Sequence, residues 1–457
     1  MLAAGKSLAQ GKFLEWTRHS LSPSNKTLSW LCIGRQAIYT IDPTNVKAIL
    51  STNFNDFGLG HDRRNGFRPL FGNGIFNAEG AIWKGHRGIL HMTIRQVRSA
   101  ELNVFERHIG ALMNTIPRDG STFDLRPLFA AMTLDVSTDI FLGSSTHLLS
   151  PQQQQKQGRV HIQEFAQAFD YAQRALVGLG GNGALEVLTN LICGNKKLKL
   201  SLKIVNDFVE NVLDRALRQN KSLSGDKSEQ QEPGTGAFLD NLVAAGRSRD
   251  EMKYDIINLI VAGRDATTEF MSSIWYMLSK HPQVHQKICD EVAVLRGRLP
   301  TRGELRQLTY LQMVLKEVIR LFPPVALNQR TAEIDTIIPH GGGVDGQSPV
   351  FVRRGVSVGY SVYAMHRLPE FFGEHADEFR PERWSHIDPQ WAFMPFHGGP
   401  RTCLGKQFAT TLATYCTVRL VQELPRPQDR NIEPWRENLT MTCSSKHGVQ
   451  IAFDGSQ

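Results

Sequence analysis

The chain has 457 residues, 41% hydrophobic and 21% charged, an ordinary globular balance that excludes a disordered or collagen-like protein. Lys and Arg number 52 against 44 Asp and Glu, and the resulting +8 is too small over this length to require nucleic acid; a basic face for an acidic partner protein accounts for it. Six cysteines, Cys32, Cys193, Cys289, Cys403, Cys416 and Cys443, are scattered without a C-x-x-C pair, which argues against a disulfide framework or structural zinc and fits a reducing compartment.

Residues 1–29 contain Lys6 and Lys12, show no signal-peptide core, and hold nothing near the roughly 18 apolar residues of a membrane span. They are expected to form an N-terminal segment without a membrane anchor, ahead of one domain over residues 30–457. Short strands are expected at 31–33 and 37–41, the second ending before Pro43. From about residue 80 apolar residues recur at spacings of three and four, which predicts helices at 102–113, 128–141, 165–177, 202–217, 256–278 and 311–322. Two polar stretches, 151–158 and 220–236, read as exposed loops, because the helical pattern continues on each side of them. Beyond residue 325 come short strands and turns, with a final strand pair expected at 439–443 and 448–453. The fold class is mostly α with a minor β region.

The stretch Phe396-His397-Gly398-Gly399-Pro400-Arg401-Thr402-Cys403-Leu404-Gly405 carries the most chemistry. Alone, Cys403 reads as an ordinary core thiol. The glycines and proline before it, however, make a loop that can approach a flat cofactor closely. A helix expected at 404–421 turns its N-terminal amide dipoles toward the sulfur, and Arg401 adds positive charge, so a thiolate is expected. A thiolate held in this way suits a soft metal ligand, since no His or Asn pattern of a cysteine hydrolase accompanies it. Elsewhere Glu317 and Arg320 share one helix face before Pro323-Pro324 ends the helix, and Trp83 and Arg87 share another.

The Cys403 loop resembles the haem-binding segment F-x-x-G-x-R-x-C-x-G of the haem-thiolate monooxygenases, the cytochrome P450 superfamily, in which sulfur donates electron density that favours O–O cleavage. Glu317-Val318-Ile319-Arg320 is similar to the family's E-x-x-R, and Phe379-Arg380-Pro381-Glu382-Arg383-Trp384 to its P-E-R-F/W segment. The resemblance implies a single-domain haem-thiolate monooxygenase fold in which Glu317, Arg320 and Arg383 form a buried network bracing the haem loop. It implies heme b with Cys403 as its axial metal ligand and Trp83, Arg87, Arg330, Phe396, Arg401 and Gly405 as cofactor-binding residues, Trp83 and the arginines at the propionates. Ala262-Gly263-Arg264-Asp265-Ala266-Thr267-Thr268 resembles the family's oxygen-binding helix, with Ala262 and Gly263 leaving room at the haem and Asp265 relaying protons. Ala266 stands where the family usually has a threonine, and Thr267 lies about 100° further round the helix.

Within the superfamily several segments, among them Gly74-Ile75-Phe76-Asn77 and Phe105-Glu106-Arg107-His108, resemble the fungal branch that hydroxylates alkanes and fatty acids and also serves fungal specialised metabolism. The resemblance implies a lipophilic substrate (fatty-acyl, alkane or polyketide-like), dioxygen, electrons from a separate NADPH-dependent flavin reductase, and a place at the endoplasmic-reticulum surface. As it stands the chain reads as soluble, with membrane contact but no transmembrane segment. Two other readings stay open: haem-thiolate chemistry without oxygen transfer, for which Ala266 speaks, and a haem sensor without turnover. Segments expected to line the substrate pocket are 71–76, 165–169, 261–262 and 325–327.

Overall fold

The computed structural model describes residues 6–8, 10–32, 35–149, 160–181, 195–223 and 235–454, so the glutamine run at 151–158 and most of the polar stretch at 220–236 lie outside the described residues. The principal helices are α1 (Phe13–Ser20), α2 (His61–Phe71), α3 (Gly80–Gln96), α4 (Glu101–Thr115), α5 (Leu125–Leu142), α6 (Val160–Gly181) and α7 (Lys196–Leu223). They continue with α8 (Arg249–Ile260), α9 (Ala266–Lys280), α10 (Pro282–Val292), α11 (Thr309–Leu321) and α12 (Lys406–Glu423). Local signals set several ends: Ser248 and Glu251 form a reciprocal capping box that starts α8, and Pro282 opens α10.

The core is helical. Phe105 of α4, Phe129 and Ile140 of α5, Ile256 of α8, Ile274 of α9, Val314 of α11 and Leu412 of α12 are fully buried in one cluster. The helix at its centre, expected as one piece over 256–278, is interrupted: α8 and α9 are joined by a π turn, Val261–Asp265. A neighbouring helix supports that turn, since the Thr133 hydroxyl donates to the carbonyl of Arg264 at 3.4 Å and meets the Thr268 hydroxyl at 2.9 Å.

A five-stranded sheet stands beside the helices in the order β1 (Thr27–Cys32), β2 (Arg35–Thr40), β8 (Ser357–Ser361), β5 (Leu327–Ala332) and β3 (Phe57–Gly58). Only the β2–β8 pairing in it is parallel, and β6 (Thr336–Gly342) pairs with β7 (Ser348–Val352) in a separate antiparallel hairpin. Residues 13–29, set apart in the sequence reading, join this body: Leu14 and Leu21 are buried, and β1 begins at Thr27. The end of the chain also pairs differently from the expectation. The hairpin is β10 (Glu437–Leu439) with β11 (Cys443–Ser445), whereas β12 (Gln450–Ala452) lies between β4 (Phe123–Asp124) and β9 (Gln428–Asp429). The tight turn at 440–442 lets 437–445 pair within itself, which frees 450–452 for partners far away in sequence.

Candidate active site

The Cys403 loop is closed by its own backbone, the Cys403 amide donating to the Phe396 carbonyl at 2.9 Å. Inside it His397 and Gly399 take positive φ, 65° and 67°. Only glycine fits at 399, since a Cβ there would lie 1.8 Å from the Leu50 carbonyl oxygen. The loop is thereby pressed against the turn at Ala48–Thr52. Helix α12 starts at Lys406, two residues later than expected, and the amides of Gly405 and Lys406 donate to the Cys403 sulfur.

Burial is nevertheless the larger influence and pushes the Cys403 thiol up, against those amides and the charges of Arg87 and Lys406. Removing the charge from water opposes the two amide dipoles, and a bound metal ion, which deprotonates a coordinating thiol outright, would supply the stabilisation that makes Cys403 the thiolate expected from the sequence. Cys403 is exposed although protein surrounds it, so the sulfur borders open space.

On one side of that loop, cations gather. Arg401 and Arg87 both lie over the Trp83 ring, 4.5 and 5.7 Å from its centroid. Arg401 donates to the Ala78 carbonyl and Arg87 to the Thr402 carbonyl. Arg330, buried on β5, donates to Asn328 Oδ1 at 3.2 Å, and Arg63 of α2 donates to the same oxygen at 3.1 Å. Burial first, then the neighbouring Arg330, lowers Arg63 and Arg401 to about 10 and His397 to about 3. Neutral His397 receives Asn328 Nδ2 and the Tyr360 hydroxyl at Nε2, both at 2.9 Å, so its hydrogen sits on Nδ1.

Two donors there, Arg63 Nε and His397 Nδ1, are buried without a partner. Glu79, the carboxylate acting on Arg63 and Arg401, is bonded to Arg64 and the Leu59 amide. Mutually repelling guanidinium groups with orphaned donors fit a dianionic ligand edge, and the two propionates of haem have that chemistry. Arg63 and His397 were missed by sequence reasoning. His397 stood unremarked inside the loop motif, and nothing in the sequence near Arg63 ties it to Cys403.

On the central helix, Ala262 is exposed and Ala266, one turn on, is half-buried, so both border open space along one face. At Gly263 a Cβ would meet the Ser137 hydroxyl at 2.4 Å, so the missing side chain at this glycine lets α5 close in. Thr267 is buried and Thr268 is bonded to Thr133. Asp265 accepts from Gln173 Nε2 at 2.8 Å and from Arg264 at 3.0 Å, while Arg264 also reaches Asp170 at 3.2 Å.

Of the expected pocket wall, Phe165 and Phe169 are fully buried, with Phe165 stacked on Phe208 at 3.9 Å, and so belong to the core. The segment 71–76 is pinned by Asn258, whose amide donates to the Phe71 carbonyl and accepts from the Phe76 amide, both at 3.1 Å. Behind the Cys403 loop, Glu317 is wholly buried with Arg320 and Arg383. Its carboxylate takes both ends of the Arg320 fork at 2.8 and 2.9 Å, Arg383 Nε at 2.8 Å and Trp384 Nε1 at 3.0 Å.

A mostly helical domain with an interrupted central helix and one cysteine presented by a glycine loop beside a dianion receptacle has the form of a haem-thiolate protein. The chain belongs to the cytochrome P450 family, whose model matches residues 19–440. It is similar to the cytochrome P450 monooxygenase himC of Aspergillus japonicus, 37% identical over 97% of this chain and 79% of that protein. Cytochrome P450 52A5 of Candida maltosa is 36% identical over 94% of this chain and 83% of its own length. The monooxygenase FPY7 of Fusarium mangiferae is 34% identical over 92% and 79%. The protein is thus an oxidoreductase, a haem-thiolate monooxygenase of fungal type, and such enzymes use dioxygen and a redox partner. Among the described residues no helix is long and apolar enough to cross a membrane.

Proposed function

We propose that Cys403 is the axial haem ligand, that Trp83, Arg87, Arg330, Phe396, Arg401 and Gly405 surround the cofactor, and that the enzyme hydroxylates a lipophilic substrate of fatty-acyl, alkane or polyketide-like character. The observation that carries this is the convergence of orphaned Arg63 Nε and His397 Nδ1 with Arg330 and Arg401 next to the Cys403 loop. Haem bound there supplies reductive activation of dioxygen. The chain's own residues do the rest. The Gly405 and Lys406 amides hold negative charge on Sγ, and Arg63, Arg330, Arg401 and His397 receive the propionates. Small Ala262 and Ala266 leave space for dioxygen on the helix face, and Asp265, steadied by Gln173 and Arg264, passes protons toward it. Electrons come from a separate NADPH-dependent flavin reductase met at the endoplasmic-reticulum surface, a reading that the family resemblance supports.

Purified protein should give the red-shifted carbon monoxide complex of thiolate haem, and Cys403→Ala should lose it while remaining folded. A persisting thiolate signature in that variant would rule Cys403 out. Substrate-induced spin shifts screened over fatty acids, alkanes and polyketide-like lipids then identify the substrate class.

A further inference from the structure

Beyond Asp265, a second acid on the central helix is bound up with the same polar space. Glu269 lies one turn on, and Arg126 of α5 donates to it through Nε at 2.9 Å and Nη2 at 2.6 Å. Both bonds fall on Oε1, and neither engages Oε2. A polar cavity of ≈ 40 Å³ separates the two acids from α6 and the β10–β11 hairpin, well above the roughly 10–15 Å³ a water molecule needs. Asp170, Gln173, Thr440 and Arg126 complete much of its lining. Its rim reaches solvent: the side chains of Asp170 and Arg126 are 36% and 30% exposed, those of Asp265 and Glu269 10% and 4%.

One further atom points to water in this space. Gln173 donates its Nε2 to Asp265, but its Oε1 is buried without a partner. A water in the cavity would satisfy that oxygen and link it to a carboxyl group.

We infer that Glu269 is a proton-holding residue that acts through Asp265, receiving protons at the Arg126–Asp170 rim and handing them by way of cavity water to the Asp265 carboxylate. This rests on the oxygenase reading above. Hydroxylation of C–H by dioxygen takes up two electrons and two protons for each water released. In the step assigned here the Glu269 O–H bond breaks, its proton passes to water, and a proton of that water passes to Asp265. The Glu269 carboxylate left behind is held by Arg126 until solvent returns a proton. No electrons move.

Burial raises Glu269 to about 7, with Asp265 adding to the rise, while Arg126 and Arg264 oppose it. The other charged or titratable groups at this space are Asp170 and Arg174 of α6 and the buried Cys443 of β11. An acid with this affinity is part-protonated near neutrality and can both give and regain a proton, as a relay must. The need is greater here because Ala266 carries no hydroxyl.

The test measures product formed per NADPH consumed against pH, and independently the pH-difference infrared spectrum in the carboxylic-acid carbonyl region. The wild-type ratio should fall as pH rises through about 7, with an acid carbonyl band lost over the same range. Glu269→Gln should lose both the band and the pH step, with peroxide released at every pH. Glu269→Asp, which keeps a carboxyl group, should restore a pH step. A Glu269→Gln protein with wild-type coupling and pH profile, or one that keeps the titrating band, overturns the relay alone. Absence of a thiolate–haem carbon monoxide spectrum in the wild type overturns the oxygenase reading, and the relay with it.

Discussion

At position 266 a methyl group occupies the face of the central helix that a threonine occupies in the family pattern. Ala266 is half-buried on the same side as exposed Ala262, whereas Thr267 is 2% exposed. The π turn at Val261–Asp265 ends just before Ala266 and leaves Thr267 enclosed. A hydroxyl restored at 266 therefore enters the open space, and one removed at 267 leaves the interior. Ala266→Thr should raise the ratio of product to NADPH consumed for substrates that lack a hydroxyl, at a helix-propensity cost of a few tenths of a kcal/mol. Thr267→Ala should leave that ratio nearly unchanged. If only Thr267→Ala alters coupling, Thr267 orders the proton-bearing water after all. The two acids beside this position differ in how openly the sequence declares them. Asp265 sits in a motif, but Glu269 is one more polar residue on an apolar helix until α5 and α6 are laid against it.

Among the elements, α11 and the segment after β8 depend on one carboxylate. Glu317 joins Arg320 on its own helix to Arg383 and Trp384, and the two arginines in turn hold the carbonyls of Phe372, His375, Ala376 and Glu378. Trp384 in turn packs on Phe393, three residues before the Cys403 loop, with Glu317 and Arg320 fully buried. Removing the acid strands a buried cation, Arg320, and a half-buried one, Arg383, which costs about 3–5 kcal/mol. Glu317→Ala should lower the thermal midpoint and the haem content of the purified protein together, and a surface ion pair would leave both as they were. The spacing of Glu317 and Arg320 gave away their shared helix face, and a motif named Arg383. The carbonyls they hold were invisible, because they come from irregular chain whose path no periodicity describes.

For the molecule as a whole the excess of +8 has a place to act. Lys84 and Arg95 of α3, Arg98 just beyond it and Lys406 at the start of α12 are all exposed, and Arg302, Arg306 and Lys406 line a groove of ≈ 530 Å³ beside Leu404. An acidic reductase steered to this face should deliver electrons more slowly as salt screens charges over roughly 8–10 Å. Reversing Lys84 and Arg95 should flatten that salt dependence; an electron-transfer rate indifferent to both ionic strength and charge reversal removes this face as the docking site. What could be read before folding was whatever is carried by neighbours along the chain: helices from their three-and-four spacing, the Gly399 turn, the Cys403 loop, the Glu317–Arg320 pair and the oxygen-side helix. What needed the fold was every property set by a partner distant in sequence. Arg63 meets Arg330 and His397 only once α2, β5 and the Cys403 loop come together, Gly263 meets Ser137 only across two helices, and β12 finds β4 only after more than three hundred residues of intervening chain. The direction of the Cys403 shift belongs with these. Helix dipoles are local and legible, but desolvation is the sum of everything packed around a group, and no local pattern encodes that sum.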